Sequence, residues 1–274
     1  MKRHSLPIVS TFILAFIAVA VHAQVITSDF TSGTDGWQGI DVQGPAYDLV
    51  TGGPYALELQ AAGGNPGGRV GTTDTDSTLF CFSAPPVFLG NRLGWYDGTL
   101  RYQMRFNSGN MSPGSPLHPD VILIGGGLTL VADAGLDPAS QTDTWVPFGV
   151  TLNEANWHLN TMGGLPPTTS QFQAALSNIT SIYIRGDFFA ELDRAWLDNV
   201  VMESTLPTLH IACANKSVIL QWPIWATEFT LQHTQDLAES DTWTAVTVVP
   251  TIVGSQFQAT LEPLARQAFY RLKW

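Results

Sequence analysis

Charge is scarce in this sequence: Asp, Glu, Lys and Arg together make up 13% of 274 residues, about half the usual share. A surface so poor in charge has to be covered by Ser, Thr, Asn, Gln and Gly, which is common in exported β proteins and unlike a cytosolic helical enzyme. Basic residues are the scarcer sign, 12 against 23 acids, for a formal charge of −11. That argues against a nucleic-acid partner, whose phosphates need a basic face. It leaves calcium, basic proteins and neutral glycans open. Enzyme signatures are missing too. There is no His-Glu-x-x-His, no Gly-x-Ser-x-Gly and no Cys/His set at zinc spacing. The glycine-rich stretch Ala61–Gly68 lacks the Lys-Ser/Thr ending of a phosphate cradle and reads as a loop. No catalytic residue is therefore assigned.

Cysteine is nearly absent. Cys81 and Cys213 are the two in the chain. They are the candidates for a bridge, but they fall in different domains and each sits in an apolar run. Spacing alone does not supply disulfide geometry, so both are expected to stay free.

Long apolar runs are confined to the start. Lys2, Arg3 and His4 precede the run Ile8–Val21, and Val21-His22-Ala23 suits a cut before Gln24. This is the layout of a secretory leader, residues 1–23, and it is short for a bilayer span. Its removal would take two more positive charges from an acidic chain. The expected product is extracellular, with no membrane span after the leader leaves.

The remainder reads as strands. Leu100, Tyr102, Met104 and Phe106 alternate with Arg101, Gln103 and Arg105, a period-two pattern with one buried face. Strand, glycine turn and strand follow over Pro119–Val131, and Trp145–Leu152 is one more strand. Gln171–Ala175 is the one convincing helical stretch. Ile179–Met202 reads as a closing hairpin, with Trp196, Val200 and Met202 on one face of its second strand. Leu206-Pro207 suits a linker. Beyond it Val218–Trp222, Glu228–His233, Trp243–Val249, Phe257–Leu261 and Phe269–Trp274 repeat as short strands. The expectation is an all-β protein with domains at 24–204 and 205–274.

Several short motifs fall in a recognisable order: Phe88-Leu89-Gly90-Asn91, Tyr96-Asp97-Gly98, Pro119-Asp120-Val121-Ile122-Leu123, Glu154 with Trp157, Ile184-Arg185-Gly186 and Leu197-Asp198-Asn199-Val200. Together they resemble the laminin IV type A (laminin B) domain over about Phe80–Met202, with a start expected near Asp29. The resemblance implies a jelly-roll β-sandwich akin to carbohydrate-binding modules, with structural and interaction roles and no catalytic residues. The disulfide-rich repeats that flank this domain in laminins are absent, so a basement-membrane role does not carry over. The C-terminal strands, with their Trp243 and Phe269-Tyr270-Arg271-Leu272 ending, resemble the fibronectin type III-like modules of bacterial secreted proteins. That implies a smaller immunoglobulin/fibronectin-like sandwich.

Two sites follow as expectations. Jelly rolls of the carbohydrate-binding type often hold calcium between first and last strands, which points to Asp29 and Asp198. Two carboxylates fall short of the six to eight oxygens calcium takes, so Asp198 bonding nearby amides is the stronger reading. Trp37, Trp95, Tyr96 and Trp157 lie beside loops, where exposed rings could stack on sugars, although most such rings are buried. Arg185-Gly186-Asp187 spells an integrin-type tripeptide, with Arg185 better explained by pairing to an acid at a strand end. The reading is a non-catalytic extracellular binding or matrix protein, with a protein or polysaccharide as partner. A carbohydrate-binding protein is the alternative, and a glycan-active enzyme stands behind it.

Overall fold

The computed structural model describes residues 23–44, 46–73, 78–107, 118–134, 143–189, 194–214, 217–237, 242–262 and 267–273. Apart from Ala23, the expected leader lies outside them. No described helix is long and apolar enough to cross a membrane. The chain divides into two compact units, one spanning Ala23–Thr205 and the other containing Leu206–Trp274.

The first unit is two antiparallel sheets. One contains β1 (Val25–Ser28), β4 (Glu58–Gly64), β5 (Gly67–Thr73), β7 (Thr99–Asn107), β10 (Val146–Thr151) and β13 (Arg194–Glu203). Its order is β10-β7-β13-β5-β4, with β1 also on β13. The other contains β2 (Gln38–Gln43), β3 (Leu49–Tyr55), β6 (Leu79–Ser83), β8 (Val121–Gly125), β9 (Leu128–Ala132), β11 (Trp157–Leu159) and β12 (Ile179–Arg185). Its order is β11-β9-β8-β12-β6-β2-β3. This is the jelly-roll sandwich that the family resemblance implied.

The core forms where the two inner faces meet. Leu100, Tyr102, Met104 and Phe106 of β7 are all buried, as their alternation requires. Tyr102 stacks on Phe148 at 5.2 Å, and Phe106 meets Phe188 edge-on at 4.7 Å. The seven-stranded sheet also buries its other face. There Ile40, Val42, Leu79, Cys81, Ile122, Val131 and Tyr183 cluster beneath Tyr47, Ile124 and Met162. Among the described residues no Trp belongs to that cluster.

Three local expectations need correction. Ala61–Gly68 is not a loop: it forms the inner ends and turn of the β4–β5 hairpin, with Gly64 paired to Gly67. Ile179–Met202 is not a hairpin either. β12 pairs with β6 and β8, whereas β13 pairs with β5, β7 and β1, so the two lie in different sheets. Nor do Trp196 and Met202 share a face. A register shift between Asp198 and Val201 changes the phase of β13 halfway, so Trp196 sits on the outer side and Met202 on the inner. The helix is longer than its apolar core suggested. α1 runs Thr169–Ser177, opened by a capping box between Thr168 and Gln171, which satisfies first-turn amides.

The second unit has a four-stranded sheet, β14-β15-β19-β18, and a three-stranded one, β17-β16-β20. These are β14 (His210–Ala214), β15 (Ser217–Pro223), β16 (Thr230–Thr234), β17 (Thr244–Ala245), β18 (Thr251–Val253), β19 (Gln256–Leu261) and β20 (Phe269–Lys273). Val218, Leu220 and Trp222 face inward from β15, and Leu231 and Leu272 from the smaller sheet. β14 and β18, the edges of the larger sheet, were not anticipated. Their residues are almost all exposed, so no alternation marks them.

Candidate functional site

The two candidate carboxylates lie at a junction in β13. One side of this strand pairs with β7. The other pairs with β5 over Arg194–Leu197 and with β1 over Val200–Glu203. Asp198 and Asn199 fill the gap between those partners. Asn199 takes a positive φ of 50°, which Asn tolerates better than most residues. Asp198 is fully buried. It accepts the Asn65 amide at 2.5 Å and the Asn199 amide at 2.7 Å.

Glycine lets the hairpin tip reach Asp198. A Cβ at Gly64 would stand 2.6 Å from Asp198 Oδ2, and one at Gly68 would stand 1.9 Å from the Phe30 carbonyl oxygen. Burial pushes the Asp198 carboxyl up; the two amides oppose that, and the charge of Asp29 adds to it. Asp29 itself is held low by the Thr31 amide and hydroxyl, which it accepts at 3.1 and 2.8 Å. Both carboxylates are thus already bonded to the fold. No cluster of three or more His, Cys, Asp or Glu suited to a metal occurs among the described residues. The donor set falls short of a calcium shell.

The four loop aromatics are buried. Trp37 and Trp157 are 1% exposed, Trp95 and Tyr96 7%. Trp37 Nε1 donates to Ser28 Oγ at 3.0 Å, and the indole meets Phe88 edge-on. Trp157 Nε1 donates to the Thr151 carbonyl at 2.7 Å, with its ring against Phe172. Arg92 covers Trp95 at 5.1 Å. None of these rings presents a face for a sugar. Trp37, Trp157 and Tyr96 anchor loops to the core because an indole or phenol can bury its ring while bonding its polar atom.

Glu154 shows the same use of a motif residue. Its carboxylate accepts Tyr96 Oη at 2.5 Å and Thr169 Oγ1 at 2.7 Å, tying the loop after β10 to the start of α1. Burial works against the charge, but those two hydrogen bonds prevail and the carboxyl lies below its usual range. The phenol of Tyr96 is driven the other way, by burial and by that carboxylate.

At one end of the sandwich lies a polar group of which sequence reasoning named only Arg185, as paired with an acid at a strand end. Asp120 is 4% exposed and accepts the Ala134 amide at 2.9 Å. Burial, with a hydrogen bond that the protonated Asp120 carboxyl donates to Asp133, pushes that carboxyl up to about 7. Arg185, 5% exposed, donates to the His118 carbonyl at 3.2 Å and to the Asp187 carbonyl, with its guanidinium over Phe188. The Arg-Gly-Asp tripeptide is therefore built into the fold rather than displayed. Tyr102 Oη is buried with no hydrogen-bond partner. The sequence signal was only two charged residues at strand ends. Cys81 is buried and Cys213 exposed, and both are free thiols. Burial holds the Cys81 thiol protonated.

Residues 81–216 match the family model for laminin B (domain IV). The basement membrane-specific heparan sulfate proteoglycan core protein of Mus musculus is 24% identical over 188 residues, 67% of this chain and 5% of its own length. Laminin subunit gamma-2 of Equus caballus is 34% identical over 137 residues, 46% of this chain and 10% of its own length. The chain thus spans a small fraction of the curated relatives it matches. Among solved structures, the L4b domain of human laminin alpha-2 aligns with a TM-score of 0.52 at 17% identity, covering 66% of this chain and 98% of that one. The motif order and the matched residues agree: residues 81–216, most of them in the unit Ala23–Thr205, are similar to the laminin B (domain IV) family, and the fold is that of the laminin L4b domain.

Proposed function

We propose that this protein is an exported, non-catalytic binding or matrix-structural component that acts through the surface of its laminin B domain. The observation that carries this reading is how its most reactive-looking residues are engaged. Glu154 is bonded to Tyr96 and Thr169, and Asp198 to two backbone amides. A general acid or nucleophile has to be free to meet a substrate; these groups close the fold. The laminin-type relatives favour extracellular work, and the leader-like start favours export. In this reading Leu206–Trp274 is a second, fibronectin-like β module.

The test uses the full chain purified from culture medium. It should bind saturably to a surface coated with an extracellular matrix preparation and release no reducing ends from polysaccharides. Steady release of reducing ends would overturn the non-catalytic reading. Retention of the chain inside cells would overturn export.

A further inference from the structure

The outer face of the six-stranded sheet gathers positive charge in an acidic chain. Between Ala23 and Thr205 there are six arginines and no lysine. Four of them, Arg69, Arg101, Arg105 and Arg194, alternate with buried residues of β5, β7 and β13 and so stand on this face. Three pair with carboxylates: Arg101 with Glu203 at 2.6 Å, Arg105 with Asp143 at 3.1 Å and Arg194 with Glu58. Exposed pairs of this kind contribute only about 0–1 kcal/mol, so an incoming anion can displace these carboxylates.

Arg69 is different. Its Nε and Nη2 hold Gln60 Oε1 at 3.1 and 2.7 Å, and its Nη1 has no hydrogen-bond partner. Its guanidinium lies 4.0 Å over Trp196, and that of Arg194 lies at 4.4 Å. The residue paired with Trp196 on β5 is Gly71, where a Cβ would come within 2.5 Å of the ring. Glycine there lets the indole lie across the strand. Beside it Asn65 and Asn199 each donate to Gln103 Oε1 at 3.0 Å, which fixes a short row of amides.

We propose that this face binds an acidic polysaccharide, one bearing uronate carboxylates or sulfate groups. The proposal deepens the binding function above and rests on it. Arginine forks match carboxylate and sulfate in bidentate fashion. The amides, already held in place, supply partners for ring hydroxyls at low entropic cost. The negative charge elsewhere on the molecule steers a polyanion to this face rather than another. A neutral glycan has nothing to offer the arginines in exchange for their carboxylates. An acidic peptide fits less well, because a peptide docks best on an open sheet edge and the backbone of this face is already paired.

The experiment takes the full secreted chain over immobilised heparin, polygalacturonate, dextran and poly-L-glutamate, at low and rising salt. The chain should bind heparin or polygalacturonate, lose that binding as salt screens it, and ignore dextran. In the double variant Arg101→Gln/Arg105→Gln affinity should fall by roughly tenfold or more, about 1.4 kcal/mol. The charge-matched control Arg271→Gln/Lys273→Gln in the second unit, which also removes two positive charges, should bind like the parent. Should the double variant melt early, Arg101→Gln alone replaces it, its side chain being 54% exposed. No binding to either acidic polysaccharide, or full binding by the variant, overturns the proposal. Equal capture by poly-L-glutamate also overturns it, in favour of an acidic protein partner. If adhesion to the matrix preparation persists while both polysaccharides fail, this inference falls and the broader binding function stands; if adhesion fails too, both fall.

Discussion

Asp120 is a carboxyl folded into a place that resists its charge. Asp133 and Arg185 face it from neighbouring elements, and its charge reaches the Tyr102 phenol from across the core. With a folded value raised to about 7 against about 3.9 unfolded, folding takes up a proton between those values. The stability this provides is full below about pH 4 and is lost as pH rises through about 7. At about 1.4 kcal/mol per unit, the loss amounts to a few kcal/mol. Urea titrations across that window should show wild-type stability falling with pH. Asp120→Asn, which keeps an acceptor for the Ala134 amide, should flatten the fall. A flat wild-type profile contradicts the assignment. Glu154 has the opposite sign: its lowered carboxyl supports folding at neutral pH, and that support is lost as pH falls through its folded value.

Asp198 allows a second prediction at this scale. Its two amide bonds predict that Asp198→Ala destabilises by about 1–3 kcal/mol, the usual cost of leaving buried donors unsatisfied. The loss should be the same with calcium or with chelator. Calcium raising the melting temperature of the parent but not of the variant would instead place a metal at this site.

Among elements, the β4–β5 hairpin depends most on glycine. At Gly68 an added Cβ would meet the Phe30 carbonyl oxygen at 1.9 Å, and backbone cannot yield as a side chain can. Gly68→Ala should cost about 1–3 kcal/mol by overpacking, read as a lower denaturant midpoint. An unchanged midpoint would mean that the hairpin tip stands off the loop after β1. For α1, Thr168→Ala removes the cap on the Gln171 amide and should cost about 1 kcal/mol.

These elements also show what the sequence could express. β7 was legible because one face is core and the other solvent, so its period is clean. The Ala61–Gly68 strands were not, because glycine was chosen there for close approach rather than for side-chain packing. The phase change in β13 was equally hidden: a bulge leaves no mark in composition, and it moved Trp196 to the opposite face. The buried pairs around Asp120 and Glu154 join residues far apart in sequence, which no local pattern reveals. The loop aromatics were placed correctly beside loops, but position along the chain does not distinguish a ring facing the core from one facing water.

For the molecule as a whole, the acidic charge and the two β units fit the proposed work outside the cell. If the units fold separately, protease should cut first between Thr205 and Leu209 and leave two resistant fragments; cleavage that begins inside either sandwich would contradict that division. The central claim is that the residues most like reaction groups hold this fold together, while function lies on its surface. Glu154→Gln tests this most directly, measured for both thermal midpoint and matrix binding. The midpoint should fall by several degrees, at about 2–4 °C per kcal/mol for a unit this size, with binding per folded molecule unchanged. An unchanged midpoint with binding lost would contradict it.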